Sequence, residues 1–132
     1  MTIGLDTSAL VRIISGEPPE AAERVARHIA DVLDGGGTCL VSDIAAFEAY
    51  YALQQFYGMT KGEAIGHLRA LSVTPGFQFT GTVASILETP NLDRANPGFI
   101  DRVIAEEYRA AGATTVSCEK SFRKLPMALV IM

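Results

Sequence analysis

Four carboxylates in this chain occupy places where an acid can do chemistry. Asp6 ends the apolar run Ile3-Gly4-Leu5, Glu48 sits inside the run from Ile44 to Thr60, Asp101 opens the segment Phe99–Ala111, and Glu119 follows Thr114–Ser117. Glu48 is the most telling, because no other charged side chain occurs between Ile44 and Thr60. A helix that apolar is expected to be largely covered, and a buried carboxylate without a partner binds a cation or takes up a proton. Each acid also has an ordinary structural role open to it. Asp6 suits a helix cap, Asp101 a first-turn acid beside the helix dipole, Glu119 a surface acid next to Lys120, and Glu48 an exposed edge of a covered helix. Taken together they read differently. Anions gathered within a few ångströms repel, and divalent ions that prefer oxygen ligands, Mg²⁺ or Mn²⁺, make such a grouping stable. An ion held in this way lowers the pKa of a water and stabilises charge on a phosphoryl oxygen, the pattern of metal-dependent phosphodiester hydrolysis.

Other chemistries fail on particular residues. The two histidines, His28 and His67, read as solvated helix positions, and no H-E-x-x-H occurs, which argues against zinc. No nucleophile-elbow, P-loop or dinucleotide-binding glycine pattern occurs, and the triple glycine 35–37 runs into Thr38 without a lysine. An aspartyl-phosphatase site would need an acid at position 8, where Ser8 stands. A receiver-like phosphoacceptor would need paired acids, where Leu5-Asp6-Thr7 supplies one.

These acids need elements to carry them, and the pattern supplies a strand, a cap and a helix, repeated. Met1–Asp6 reads as a strand, Thr7 or Ser8 as a cap, and Ala9–Ile14 as a helix ended by Gly16. Pro18-Pro19 opens a helix over Glu20–Leu33 with Val25, Ile29, Val32 and Leu33 as its apolar stripe. Thr38–Val41 is a strand, and Ser42 or Asp43 caps a helix over Ile44–Tyr57. Thr60 and Glu63 form a capping box for a helix to Leu71, which should fold back antiparallel on its predecessor. Phe77–Phe79 reads as a third strand, Val83–Leu87 as a short helix, Thr89–Gly98 as a loop, and Phe99–Ala111 as a helix stopped by Gly112. Thr114–Ser117 is a strand, Glu119–Leu125 a charged turn and Leu129–Ile131 a last strand. Strands alternating with helices predict an α/β fold with a mostly parallel sheet covered on both faces. Ligands bind at the carboxyl ends of such strands, so all four acids are expected along one rim.

The composition sets limits on this reading. The chain has 132 residues, 48% hydrophobic and 20% charged, with a formal charge of −4, which fits one domain over residues 1–132 and excludes a disordered chain or a strongly basic nucleic-acid coat. Nucleic acid as substrate stays open, because a metal ion can supply the missing positive charge. Cys39 and Cys118 form no C-x-x-C pair and read as small buried hydrophobes in a reducing cytosol. The start is not patterned as a signal peptide, and the longest uncharged stretch, Ala70–Leu87, contains Pro75 and Gly76 and does not read as a membrane span.

The stretches Ile3–Leu10, Val41-Ser42 through Phe47-Glu48 to Tyr57-Gly58, Phe99–Ala105 and Ser117–Pro126, in this order, resemble the PIN-domain ribonucleases and, within them, the VapC-type toxins of bacterial and archaeal toxin–antitoxin pairs. The resemblance covers essentially the whole chain. It implies a five-stranded parallel sheet between helices, Mg²⁺ or Mn²⁺ held by acidic residues, and endonucleolytic cleavage of RNA. Asp6, Glu48 and Asp101 match three of the family's acidic positions, and Ser8 matches a small polar position that supports the first aspartate. The fourth acidic position, usually aspartate, is Glu119, which is a methylene longer and binds directly or through water. Gly98 and Ser121 stand where many relatives carry further acids, which leaves the site thinner in charge and motivates a second reading, a catalytically weakened PIN-fold binding module acting through a protein partner. Lys120, Arg123 and Lys124 are candidates to hold flanking phosphates or are an ordinary solvated turn. The resemblance also implies a cytoplasmic homodimer and a small VapB-like antitoxin, for which the aromatic-rich helix Ile44–Tyr57 offers either a docking surface or core packing.

Overall fold

A computed structural model describes every residue from Met1 to Met132. The first apolar run forms strand β1 (Thr2–Leu5), and one residue, Asp6, turns it into helix α1 (Thr7–Ser15). Asp6 is itself the cap, in place of Thr7 or Ser8, because its extended backbone lets the side chain accept the Ala9 N–H. Gly16 ends α1 in a left-handed conformation at φ 72°, which returns its N–H to the Arg12 carbonyl. Helix α2 (Pro19–Asp34) starts at a proline, whose missing N–H would have had no helical partner, and buries Ala22, Ile29 and Val32. Strand β2 (Thr38–Val41) leads through the Ser42 cap into helix α3 (Asp43–Phe56). The Thr60–Glu63 capping box then starts helix α4 (Lys61–Ser72), and strand β3 (Phe77–Phe79) follows.

The residues cluster into two compact units, Met1–Gly81 and Thr82–Met132. In the first, β1, β2 and β3 lie side by side in that order, all parallel, with Leu5 opposite Val41 and Val41 opposite Phe79. Asp6, Ser42 and Thr80 therefore leave the sheet at the same carboxyl rim. Helix α1 packs on α2 and α3, and α3 on α4, around the fully covered Leu10, Val41, Ala46, Leu53 and Leu68. The second unit holds helix α5 (Val83–Leu87), a 3-10 turn at Leu92–Arg94, helix α6 (Phe99–Ala110), strand β4 (Thr115–Ser117), a 3-10 turn at Lys120–Lys124 and strand β5 (Ala128–Val130). Its core is Val83, Leu87, Leu92, Phe99, Val103 and Phe122.

All five expected strands form, but they pair as a three-stranded and a two-stranded sheet, which corrects the expected single five-stranded sheet. The partner that β4 takes is β5, where the Thr115 N–H reaches the Met127 carbonyl and the Ser117 carbonyl accepts from Ile131, so this pair forms its own ladder. Cys39 is buried on β2, and burial pushes its thiol pKa up, whereas Cys118 is exposed because it lies past the end of β4, against expectation. No helix is long and apolar enough to cross a membrane.

Candidate active site

Asp6 is held from two sides. Its Oδ1 accepts the Ala9 N–H at 2.9 Å and the Ser8 hydroxyl at 2.8 Å. The Ala9 N–H is the main reason the Asp6 carboxyl titrates below the usual aspartate value. The Ser8 hydroxyl adds to it, slight desolvation opposes it, and the Ser8 N–H and the Arg12 charge contribute the remainder. Asp6 is therefore an anion at neutral pH. The Ala9 N–H and the Ser8 hydroxyl both bond Oδ1.

Glu48 lies on α3, which packs against α1, and there the Thr7 hydroxyl donates to its Oε1 at 3.0 Å. The residue next to Asp6 thus holds Glu48. In the sequence Thr7 offers itself only as a possible cap. What could have flagged its second role is the adjacency of Asp6-Thr7-Ser8, with two hydroxyls directly after the acid. Glu48 itself is exposed, which corrects the expectation of a buried carboxylate. Helix α3 buries Ala45, Ala46, Ala49, Tyr50 and Leu53 on one face but leaves Ile44 (71% exposed), Tyr51 (55%) and Phe56 (81%) in the open. The apolar surroundings of Glu48 in the sequence are in part surface.

Asp101 and Glu119 belong to the second unit. Asp101 is half-buried in the first turn of α6, where the unpaired amide groups of the helix end favour a negative charge, and the Gly98 cap contributes no side-chain bond of its own. Glu119 is exposed just past β4, with its N–H donated to the Ser117 hydroxyl at 3.0 Å, and it precedes the 3-10 turn that carries the half-buried Ser121. Of the basic cluster, Lys124 ties its ammonium to the Asn96 carbonyl at 3.1 Å, while Lys120 and Arg123 are exposed.

No group of three or more His, Cys, Asp or Glu side chains is arranged to hold a metal ion. The pair that the fold links is Asp6 and Glu48, through Thr7. Two exposed carboxylates, each with one oxygen outside the hydrogen bonds described, are a hard donor set. Mg²⁺ characteristically keeps several waters and takes only one or two carboxylates, so this set suits it better than it suits Zn²⁺, which wants nitrogen and sulfur. His28 and His67 are exposed, as expected of solvated helix residues.

A family model described as PIN domain matches residues 3–127. No curated protein sequence matches the chain. Among solved structures the chain is similar to one described as VapBC2 from Rickettsia felis bound to a DNA fragment from their promoter, at 18% identity over 99% of this chain and 98% of that one, with a TM-score of 0.39.

Proposed function

The chain belongs to the PIN-domain family, and on that footing we propose that it is a Mg²⁺- or Mn²⁺-dependent endoribonuclease that hydrolyses RNA phosphodiester bonds, the toxin of a VapBC-type toxin–antitoxin pair. The observation that carries this reading is the reach of the family match, which runs from residue 3 to 127 and so includes Asp6, Glu48, Asp101 and Glu119. We take residues 1–132 as one nuclease domain that works in the cytoplasm as a homodimer.

In this reading Asp6, Glu48 and Asp101 would hold the ion, with Glu119 contributing directly or through water. Once bound, the ion supplies Lewis-acid stabilisation of charge on the phosphoryl oxygen and a water of lowered pKa. The chain's own residues do the rest. The Ala9 N–H and the Ser8 hydroxyl favour the ionised Asp6 and fix its rotamer, so that the carboxylate is offered without reorganisation. The Thr7 hydroxyl orients the Glu48 carboxylate. The exposed Lys120 and Arg123 would meet flanking phosphates, the role the sequence leaves open to them beside that of an ordinary solvated turn, whereas Lys124 is tied to the Asn96 carbonyl. Setting the four acids aside leaves 11 acidic against 11 basic side chains, so the rest of the chain is formally neutral toward a polyanion. The exposed Ile44, Tyr51 and Phe56 of α3 give a VapB-like antitoxin or a second subunit an apolar surface to cover.

The test is RNA cleavage in Mg²⁺ or Mn²⁺, compared with cleavage in chelator and by Asp6→Ala and Asp101→Asn. Loss of activity in all three supports the reading, and equal cleavage in all of them identifies a contaminant and sinks it. A folded protein that takes up no Mn²⁺ in titration calorimetry would instead support the binding-module reading raised by Gly98 and Ser121.

A further inference from the structure

Gly81 follows β3 closely, and its glycine is not required by its own backbone, since it is not among the residues with positive φ. What forbids a side chain there is Asp43. A Cβ built on Gly81 would stand 2.1 Å from Asp43 Oδ2, 2.5 Å from Cγ and 2.7 Å from Oδ1, so the carboxylate group fills the space that a side chain at Gly81 would need. Asp43 is the first residue of α3, and its backbone is fixed from before by the Ser42 cap, whose hydroxyl accepts the Ala45 N–H at 3.1 Å. Asp43 is half-buried. The strand register puts the ends of β1, β2 and β3 in line, so the contact joins the exit of β3 to the start of the helix that carries Glu48. Glu48 in turn meets Thr7, beside Asp6.

We propose that Asp43, seated on Gly81, is a positioning residue that clamps the exit of β3 to the start of α3 and so fixes Glu48 against Thr7. Its effect on activity rests on the nuclease reading above; the clamp itself does not. Alanine at 81 forces the Asp43 carboxylate to swing away, which is possible because the obstruction is a side-chain tip and not backbone. Gly81→Ala and Asp43→Ala therefore remove the same contact from its two sides.

The experiment uses the full chain and four variants: Gly81→Ala, Asp43→Ala, the double variant, and Asp43→Asn, which keeps the shape of the carboxylate. Steady-state RNA cleavage in Mn²⁺ and amide hydrogen exchange across Ala45–Ala49 are measured on each. Misplacing a reacting group by an ångström costs up to about a hundredfold in rate, so each alanine variant should lose about ten- to a hundredfold in kcat with KM nearly unchanged. The double variant should be no worse than Asp43→Ala alone, and Asp43→Asn should stay near wild type. Exchange over the first turns of α3 should quicken in the three alanine variants only. Wild-type kcat and exchange in Gly81→Ala would overturn the clamp, as would losses that multiply in the double variant. A lowered melting temperature with kcat unchanged would show a structural contact without the positioning role. If the wild-type chain cleaves no RNA, the nuclease reading fails, and the exchange pattern alone decides the clamp.

Discussion

Asp6 serves two masters, α1 as its cap and the proposed site as its first carboxylate, and Asp6→Asn separates them from Asp6→Ala. Asparagine keeps an oxygen that can accept from Ala9 and Ser8 but carries no charge, whereas alanine keeps neither. Losing an N-cap acceptor costs about 1 kcal/mol, while losing only an exposed charge at a helix N-terminus costs about 0.3 kcal/mol. For a domain of this size those figures correspond to melting points lowered by about 4 °C for alanine and about 1 °C for asparagine. Urea denaturation at pH 7 measures the first quantity and RNA cleavage in Mn²⁺ the second. Both variants should lose cleavage by at least about a hundredfold, the scale of a removed charge-stabilising group, yet only alanine should lose the cap. The pH dependence has a fixed sign. The folded Asp6 carboxyl titrates below its unfolded value, so its contribution is complete above the unfolded aspartate pKa of about 3.9 and is lost as the pH falls through the lowered folded value. The gap between wild type and Asp6→Ala should therefore shrink in acid toward the gap between Asp6→Asn and Asp6→Ala, because a protonated carboxyl, like the amide, still offers Ala9 an oxygen. Asp6→Asn cleaving at the wild-type rate would refute the catalytic role, and Asp6→Ala matching Asp6→Asn in stability at pH 7 would refute the cap.

Three further outcomes follow from named contacts. Thr7→Val removes the 3.0 Å bond to Glu48 and should lower kcat several-fold while moving stability by less than about 1 kcal/mol, since the bond is exposed; an unchanged kcat would leave Thr7 without a role at the site. Gly37→Ala should destabilise by about 2 kcal/mol or more in urea, because the new Cβ would stand 2.3 Å from the Met1 carbonyl and 2.8 Å from that of Val32, backbone atoms that cannot swing aside as the Asp43 carboxylate can. The Glu63 carboxyl is held below its usual value, first by the Thr60 N–H and then by the Thr60 hydroxyl, so the stability gap to Glu63→Ala should be full at neutral pH and vanish as the pH falls through that lowered pKa. Melting curves from pH 2 to 7 check this, and a gap that stays constant over that range counts against the capping box.

The elements were legible in the sequence because each start and stop has a local chemical cause. Pro19 at the head of α2, Thr60 with Glu63 at the head of α4 and Gly16 after α1 act within a few residues of themselves, and the structure uses them as the pattern suggests. Val83–Leu87 and Phe77–Phe79 even keep their expected ends. What the sequence hid is set by contacts between distant residues. Glu48 looked buried because its neighbours in the chain are apolar, but a helix displays its residues around a circle, and Ile44 and Tyr51 share the open side with it. The pairing of β4 was equally hidden, since a three-residue apolar run carries no mark of which strand it will join. In the sequence Asp43 presents itself only as a possible cap. Its contact with Gly81 spans 38 positions, and only the assembled backbone shows that the glycine is there to make room. At the site, Asp6 and Ser8 were legible because they are neighbours in the chain, whereas the hold of Thr7 on Glu48 crosses 41 positions.

The turn between β1 and α1 contains one residue, and that residue binds the helix through its side chain while following the strand through its backbone. Such a joint has no slack. A ligand drawing on the Asp6 carboxylate would withdraw electron density from the oxygen that accepts the Ala9 N–H, so that hydrogen bond would respond to occupancy. The Ala9 amide is in effect a built-in strain gauge. Its proton resonance would report the arrival of a cation at Asp6 without any added label, and it would do so before catalysis is measured.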